Sequence, residues 1–226
     1  KDRIDQPLYS RLWGNGFLPS QHQGVLFRSG KDPVLYLQNP DGVSGESRRR
    51  LLDRWAEMEH LQFRDLGDPE INARVAQYEM AYRMQLEATD AFDIGRESEK
   101  TREMYGDTTL GRQFLIARRL AERGVRFIQL WHGAGQPWDS HDDIEKNHKR
   151  LAMEADQPIA ALLTDLKRLG MLDETLVIWG GEFGRTVYSQ GALTKTNYGR
   201  DHHPRNFCMW MAGAGVKGGM TLGETD

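Results

Sequence analysis

"LGRQFLIARRLAERGVRFIQLWH" (residues 110–132) joins two patterns at a single glycine. Before Gly124, the apolar residues Phe114, Ala117 and Ala121 recur at helical spacing, and glycine is the usual residue just past a helix end. After it, "VRFIQLWH" (125–132) reads as a strand. The alternation repeats downstream. Ile144, His148, Leu151, Ala155, Ile159, Leu162, Leu166 and Leu169 recur at 3–4 spacing and predict a helix over 143–169, ended by Gly170. Pro158 is expected to kink or break it, with Asp156 as a candidate new cap. "ETLVIWGG" (174–181) and "NFCMWMAG" (206–213) read as two further strands. Helix–strand alternation predicts an α/β fold with a mostly parallel sheet flanked by helices. The near-continuous apolar runs suit strands covered on both faces. Trp131, Trp179, Trp210 and Cys208 are then expected in the core.

Upstream of this core the pattern is looser. Residues 1–43 are rich in Gly, Pro, Asn, Gln and Ser, with short apolar groups at "GVLFRSG" (24–30) and "PVLYLQ" (33–38) that predict one or two short strands among loops. A helix is predicted over 44–65 from the 3–4 spacing of Leu51, Trp55, Met58 and Gln62, with Gly67 as its stop. Asp68-Pro69-Glu70 starts another, a capping aspartate followed by proline in the first turn. It is expected to run to about residue 85, with Ile71, Val75, Tyr78 and Tyr82 on one face, and 86–107 to be a polar loop with a short helix. Residues 1–108 are expected to pack on an α/β core of 109–226 as one domain.

Composition narrows the function. The 226 residues carry a net charge of -3, which gives no reason to expect nucleic acid or an anionic membrane as partner. Arg48-Arg49-Arg50 reads as a solvated helix face. No stretch approaches the ~20 apolar residues of a membrane span. One cysteine cannot form an intrachain disulfide, so the compartment stays open. A start at Lys1 and an end just past a glycine turn suggest a segment of a longer protein.

Ligands of open α/β sheets sit beyond strand ends, and the polar groups gather there. "WHGAGQPWDSH" (131–141) follows the first strand, "GGEFGRT" (180–186) follows the second, and "RDHHP" (200–204) precedes the third. Asp139, His141, Glu182, His202 and His203 are the candidate metal ligands. Mixed carboxylate and imidazole donors suit Zn, Mn or Fe, and carboxylates alone suit Mg or Ca. Arg185 and Arg200 match the bidentate geometry of phosphate and sulfate oxygens and are the candidate substrate-binding residues. Salt bridges to Glu182 or Asp201 are the alternative. His132 and Trp138 are placed to line a pocket, and His148 falls on the apolar stripe as a packing residue.

"ARRLAERGVRFIQLWH" (117–132), "WDSHDD" (138–143), "TLVIWGGEFGRT" (175–186), "GRDHHPRNFCMWMAGAGVKGG" (199–219) and "GETD" (223–226) resemble the bacterial family labelled domain of unknown function 1501. "NGFLPSQHQGVLFRSG" (15–30) and "AYRMQ" (81–85) fit as well, so the resemblance spans essentially the whole chain. It implies a place in the alkaline phosphatase/sulfatase-like superfamily. That placement implies an α/β fold, incomplete here at both ends, and a metal-dependent hydrolase of small anionic phosphate or sulfate esters with a divalent ion, Zn, Mn, Mg or Ca. By the same resemblance Asp139, His141 and either His202 or His203 match metal ligands, and Glu182 stands where the superfamily has the aspartate of an Asp-His pair. Phe183 occupies the second place of that pair, where it cannot bind metal. The superfamily's nucleophile lies upstream of anything in this chain. An exported or periplasmic parent is implied too. The alternatives are a catalytically silent binding or scaffolding protein on the same fold, and a structural ion-pair network of Asp139, Glu182 and Arg185.

Overall fold

The computed structural model describes residues 14–19, 22–27, 39–133, 135–181, 183–191 and 193–224, with backbone alone over 84–89. It divides into two compact units, Lys1–Asp93 and Ile94–Asp226.

In the first unit, helices α1 (Gly45–Leu66) and α2 (Pro69–Phe92) pack together. Local chemistry sets their ends. The Ser44 side chain accepts from Ser47 N at 3.1 Å, Gly67 closes α1 in the left-handed conformation at φ 68°, and Asp68 caps α2 with Pro69 in the first turn. The α1–α2 packing is amphipathic rather than oily. Arg49 reaches Asp53 at 2.7 Å and Glu79 at 2.8 Å, and the Trp55 and Tyr78 rings lie 4.6 Å apart. Leu51 and Met58, two residues of the 3–4 stripe, are exposed. Helix α2 continues past residue 85 to Phe92. The strands expected within 24–38 fall mostly outside the described residues.

In the second unit a 3-10 turn (Ile94–Arg96) leads into helices α3 (Glu99–Tyr105), α4 (Thr109–Glu122) and α5 (Ile144–Arg168), which pack on one another. Thr108 caps α4 by accepting from Gly111 N at 2.9 Å. Tyr105, Leu115, Ala161, Leu162 and Leu166 form the buried cluster. Each large side chain there contributes about 1.5–3 kcal/mol by leaving water. Pro158 neither breaks nor ends α5, which continues through it to Arg168. The Leu151–Ala155–Leu162–Leu166 stripe is buried on both sides of the proline, and packing holds the helix across one missing backbone bond.

Among the described residues the expected mostly parallel sheet is not found. Among the described residues 48% are helical and 6% lie in strands, and the strands form two small antiparallel pairs. Strand β1 (Val177–Gly180) pairs with β4 (Met209–Ala212), and β2 (Gly184–Arg185) pairs with β3 (His202–His203). Residues 125–132, read as the first strand, take no strand partner among the described residues. No helix lies between β1 and β4. A parallel neighbour needs a crossover of a dozen or more residues, usually helical. The chain instead returns through β2 and β3, and β4 comes back antiparallel. The apolar runs are therefore not covered on both faces: Phe127 is 95% exposed and Ile178 54%, and Trp131, Trp179 and Cys208 are exposed as well. Among the described residues no helix is long and apolar enough to cross a membrane.

Candidate metal centre

Two backbone segments carry the centre. The first is the turn after residue 132, which ends in Asp139-Ser140-His141. The second is the β2–β3 ladder. Arg200 N donates to Ser140 O at 3.2 Å, and Ile144 N donates to Tyr198 O at 3.0 Å, so the two segments are stitched by main-chain bonds on either side of Gly199. The buried Thr186 closes the ladder. Its amide donates to Asp201 O at 2.9 Å, and its hydroxyl donates to Tyr188 O at 2.7 Å.

Register places the side chains. Arg185 pairs directly with His202, and Gly184 with His203. Opposite residues of an antiparallel pair share a face, while successive residues of a strand point to opposite faces. Arg185 and His202 thus share one side, and His203 takes the other. The shared side meets Asp139. Its Oδ1 lies 3.0 Å from His141 Nε2, 3.2 Å from His202 Nε2 and 2.7 Å from Arg185 Nη1.

Asp139, His141 and His202 each offer one ligand atom within 4.8 Å of the others, and all three are half-buried. In a tetrahedral site with bonds of ~2.0–2.1 Å, neighbouring ligand atoms stand ~3.3 Å apart. The two imidazole nitrogens lie near that edge length from one carboxylate oxygen. A carboxylate with two imidazoles suits a borderline ion such as Zn. Burial pushes the Asp139 pKa up, but the adjacent Arg185 above all, and then His141 and His202, outweigh it and leave the carboxyl below its ordinary range. A ligand must be deprotonated to bind, and this one is held so.

Other groups surround the three residues. The Phe183 ring sits 5.8 Å from that of His202, edge to face. His202 Nδ1 lies 3.6 Å from Asp201 Oδ1, an electrostatic contact rather than a hydrogen bond. Arg200 is turned away from Asp139 and donates to Thr186 O at 2.9 Å, bracing the ladder. Glu182 lies outside the described residues. His203 is not grouped with the three candidate ligands, and its Nδ1 is buried without a hydrogen-bond partner. Beside the centre, Trp138 Nε1 donates to His132 Nδ1 at 3.2 Å, and His148 Nε2 donates to Trp138 O at 3.0 Å. The packing reading of His148 is thus joined by a role in holding the Asp139 turn.

Gly199 and Thr186 escape sequence reasoning, because neither carries metal chemistry. A Cβ on Gly199 would stand 2.0 Å from His141 C and 2.2 Å from its carbonyl oxygen. No side chain fits there unless the two segments part. Gly199→Ala is expected to weaken metal binding roughly tenfold without altering a ligand, since sites tolerate only ~0.5 Å of misplacement. A zinc titration alongside a thermal melt separates this from unfolding.

A family model described as "Protein of unknown function (DUF1501)" matches residues 2–226. The chain belongs to the DUF1501 family. No curated protein and no solved structure matches it. As a DUF1501 chain it carries Asp139, His141 and His202 together, beside Arg185.

Proposed function

We propose that this DUF1501 protein is a metal-dependent hydrolase of phosphate or sulfate esters. The observation that carries the reading is the convergence of Asp139, His141 and His202, with both imidazole nitrogens 3.0 and 3.2 Å from one carboxylate oxygen and a guanidinium at that same oxygen. Three protein ligands with a position left over is the pattern of catalytic zinc sites rather than closed structural ones. A divalent ion bound there would supply Lewis-acid polarisation of an ester oxygen. The resemblance of these motifs to the alkaline phosphatase/sulfatase-like superfamily supports the same chemistry and an exported setting.

The chain's own groups have distinct tasks. Asp139 gives the negative charge that anchors a cation. His141 and His202 complete the ligand set from different segments, so the centre forms only when both are in place. Arg185 supplies a fork able to pair with non-bridging oxygens of a tetrahedral anion. Phe183 walls one side. The attacking nucleophile is assigned to no residue of this chain.

Purified protein is expected to retain close to one equivalent of divalent metal through dialysis, and to hydrolyse an aryl phosphate or aryl sulfate. Chelation should remove both, and zinc should restore both. Absence of metal from protein loaded with Zn, Mn, Mg or Ca would reject the proposal. Phe183 favours a second reading, binding without turnover. Metal retention with phosphate binding but no hydrolysis of either ester would select it.

A further inference from the structure

Arg185 stands where a supporting residue would not. An outer residue that orients a metal-binding carboxylate holds the oxygen that faces away from the metal. The Arg185 guanidinium instead lies 2.7 Å from Asp139 Oδ1, the oxygen on which both imidazole nitrogens converge. A cation coordinated by that oxygen would stand at most ~4.7 Å from Arg185 Nη1, the sum of the contact and a ~2.0 Å metal–oxygen bond. Like charges that close in a half-buried site repel. A guanidinium keeps its positive charge where an ammonium or imidazolium can lose it. Its other contact at the centre is a long one, Nη1 to Arg200 O at 3.4 Å.

We propose that Arg185 is an internal counter-cation that competes with the metal for Asp139 and, once displaced, becomes the partner of a bound tetrahedral oxyanion. The proposal rests on the metal-centre reading above and deepens it. In the metal-free protein Arg185 neutralises Asp139. Metal entry expels the guanidinium from Oδ1. An anion at the metal then gives Arg185 a new partner. Metal and anion binding are thereby coupled, each favouring the other, and by linkage the coupling is reciprocal.

The sign of one measurement separates competition from support. A supporting residue loses metal affinity on removal, commonly 10–100-fold. A competitor gains it. In chloride buffer free of oxyanions, Arg185→Gln is expected to bind zinc about tenfold more tightly than wild type, while Arg185→Lys, which keeps the charge, stays within about threefold. Inorganic phosphate should tighten zinc binding in wild type by a larger factor than in Arg185→Gln. Cobalt substitution gives a second readout, because the absorption of tetrahedral Co reports the ligand set directly. Thermal melts establish that each variant is folded. Weaker zinc binding by Arg185→Gln overturns the competition. An equal phosphate effect in both proteins overturns the coupling to an anion. Asp139→Asn is the control for the centre itself: if it binds zinc as well as wild type, the metal-centre reading fails, and this proposal with it.

Discussion

Asp165→Ala is expected to cost about 3–5 kcal/mol of folding stability in residues 94–226, the usual result of leaving a buried charge without its partner. Asp165 is fully buried on α5. Its Oδ2 lies 3.0 Å from Arg118 Nε and accepts from the Tyr105 hydroxyl at 3.2 Å, while Oδ1 is 2.6 Å from Arg168 Nη2. Arg118 is 3% exposed and also meets Glu97 at 2.8 Å and Glu122 at 2.6 Å. Arg119 pairs with Glu97. Three arginines face three carboxylates, and with Tyr105 the set links the bend at Glu97, α3, α4 and α5. Removing one carboxylate leaves a net positive charge inside the helical cluster as well as a cavity. Asp165→Asn keeps the volume and an acceptor for Tyr105, so it isolates the charge and should cost roughly half as much. The melting temperature should fall by roughly 12–20 °C for the alanine variant. A loss below about 1 kcal/mol would show that Glu97 and Glu122 alone satisfy Arg118. The network also predicts acid sensitivity. Burial raises the Glu97 pKa, yet Arg118 and Arg119 bring it below the ordinary 4.5. Its stabilisation is therefore complete above 4.5 and is lost as pH falls through the lower folded value.

The helices of this chain were legible because their ends are written in local chemistry. Ser44, Gly67, Asp68-Pro69 and Gly124 act within one turn of backbone, and a reader needs no tertiary knowledge to use them. Helix α2 was read seven residues short because residues 86–92 carry no clear stripe, although Ala and Glu there favour helix. The sheet was misread for a different reason. An apolar run shows that a segment can be a strand but not which strand it meets. The lack of a helix between "ETLVIWGG" and "NFCMWMAG" was visible in the sequence, and it argues against parallel neighbours. The centre was half legible. Residue chemistry picked out Asp139, His141 and the histidine pair, but spacing alone left His202 and His203 equivalent. Only the pairing of Arg185 with His202 gives the strand its facing. The same register explains why Arg185 reaches Asp139 while Arg200 braces Thr186. These roles depend on main-chain partners fifteen residues away, which one sequence does not display.

Single replacement of the candidate ligands should therefore split two neighbouring histidines that look alike in the sequence. Asp139→Asn and His202→Ala are each expected to reduce zinc affinity by at least 100-fold, about 2.7 kcal/mol, because each removes a donor where outer residues alone are worth 10–100-fold. Asp139→Asn should have the larger effect, since it removes the only carboxylate among the three described ligands and leaves Arg185 unopposed beside the cation. His203→Ala should change affinity by less than about threefold, because its side chain leaves the strand on the other face. It should instead lower thermal stability modestly, since its ring is half-buried. Chelatable zinc and the cobalt spectrum, measured for all three variants, test the set together. Equal losses from His202→Ala and His203→Ala would mean that the β2–β3 register does not hold in solution, and with it would go the placement of Arg185. Loss from His203→Ala alone would move the centre to the opposite face of the ladder, away from Asp139. The pairing of Gly184 with His203 makes that arrangement hard to reach: a Cβ on Gly184 would stand 1.8 Å from Asn206 O, so the backbone there is already packed against the following turn.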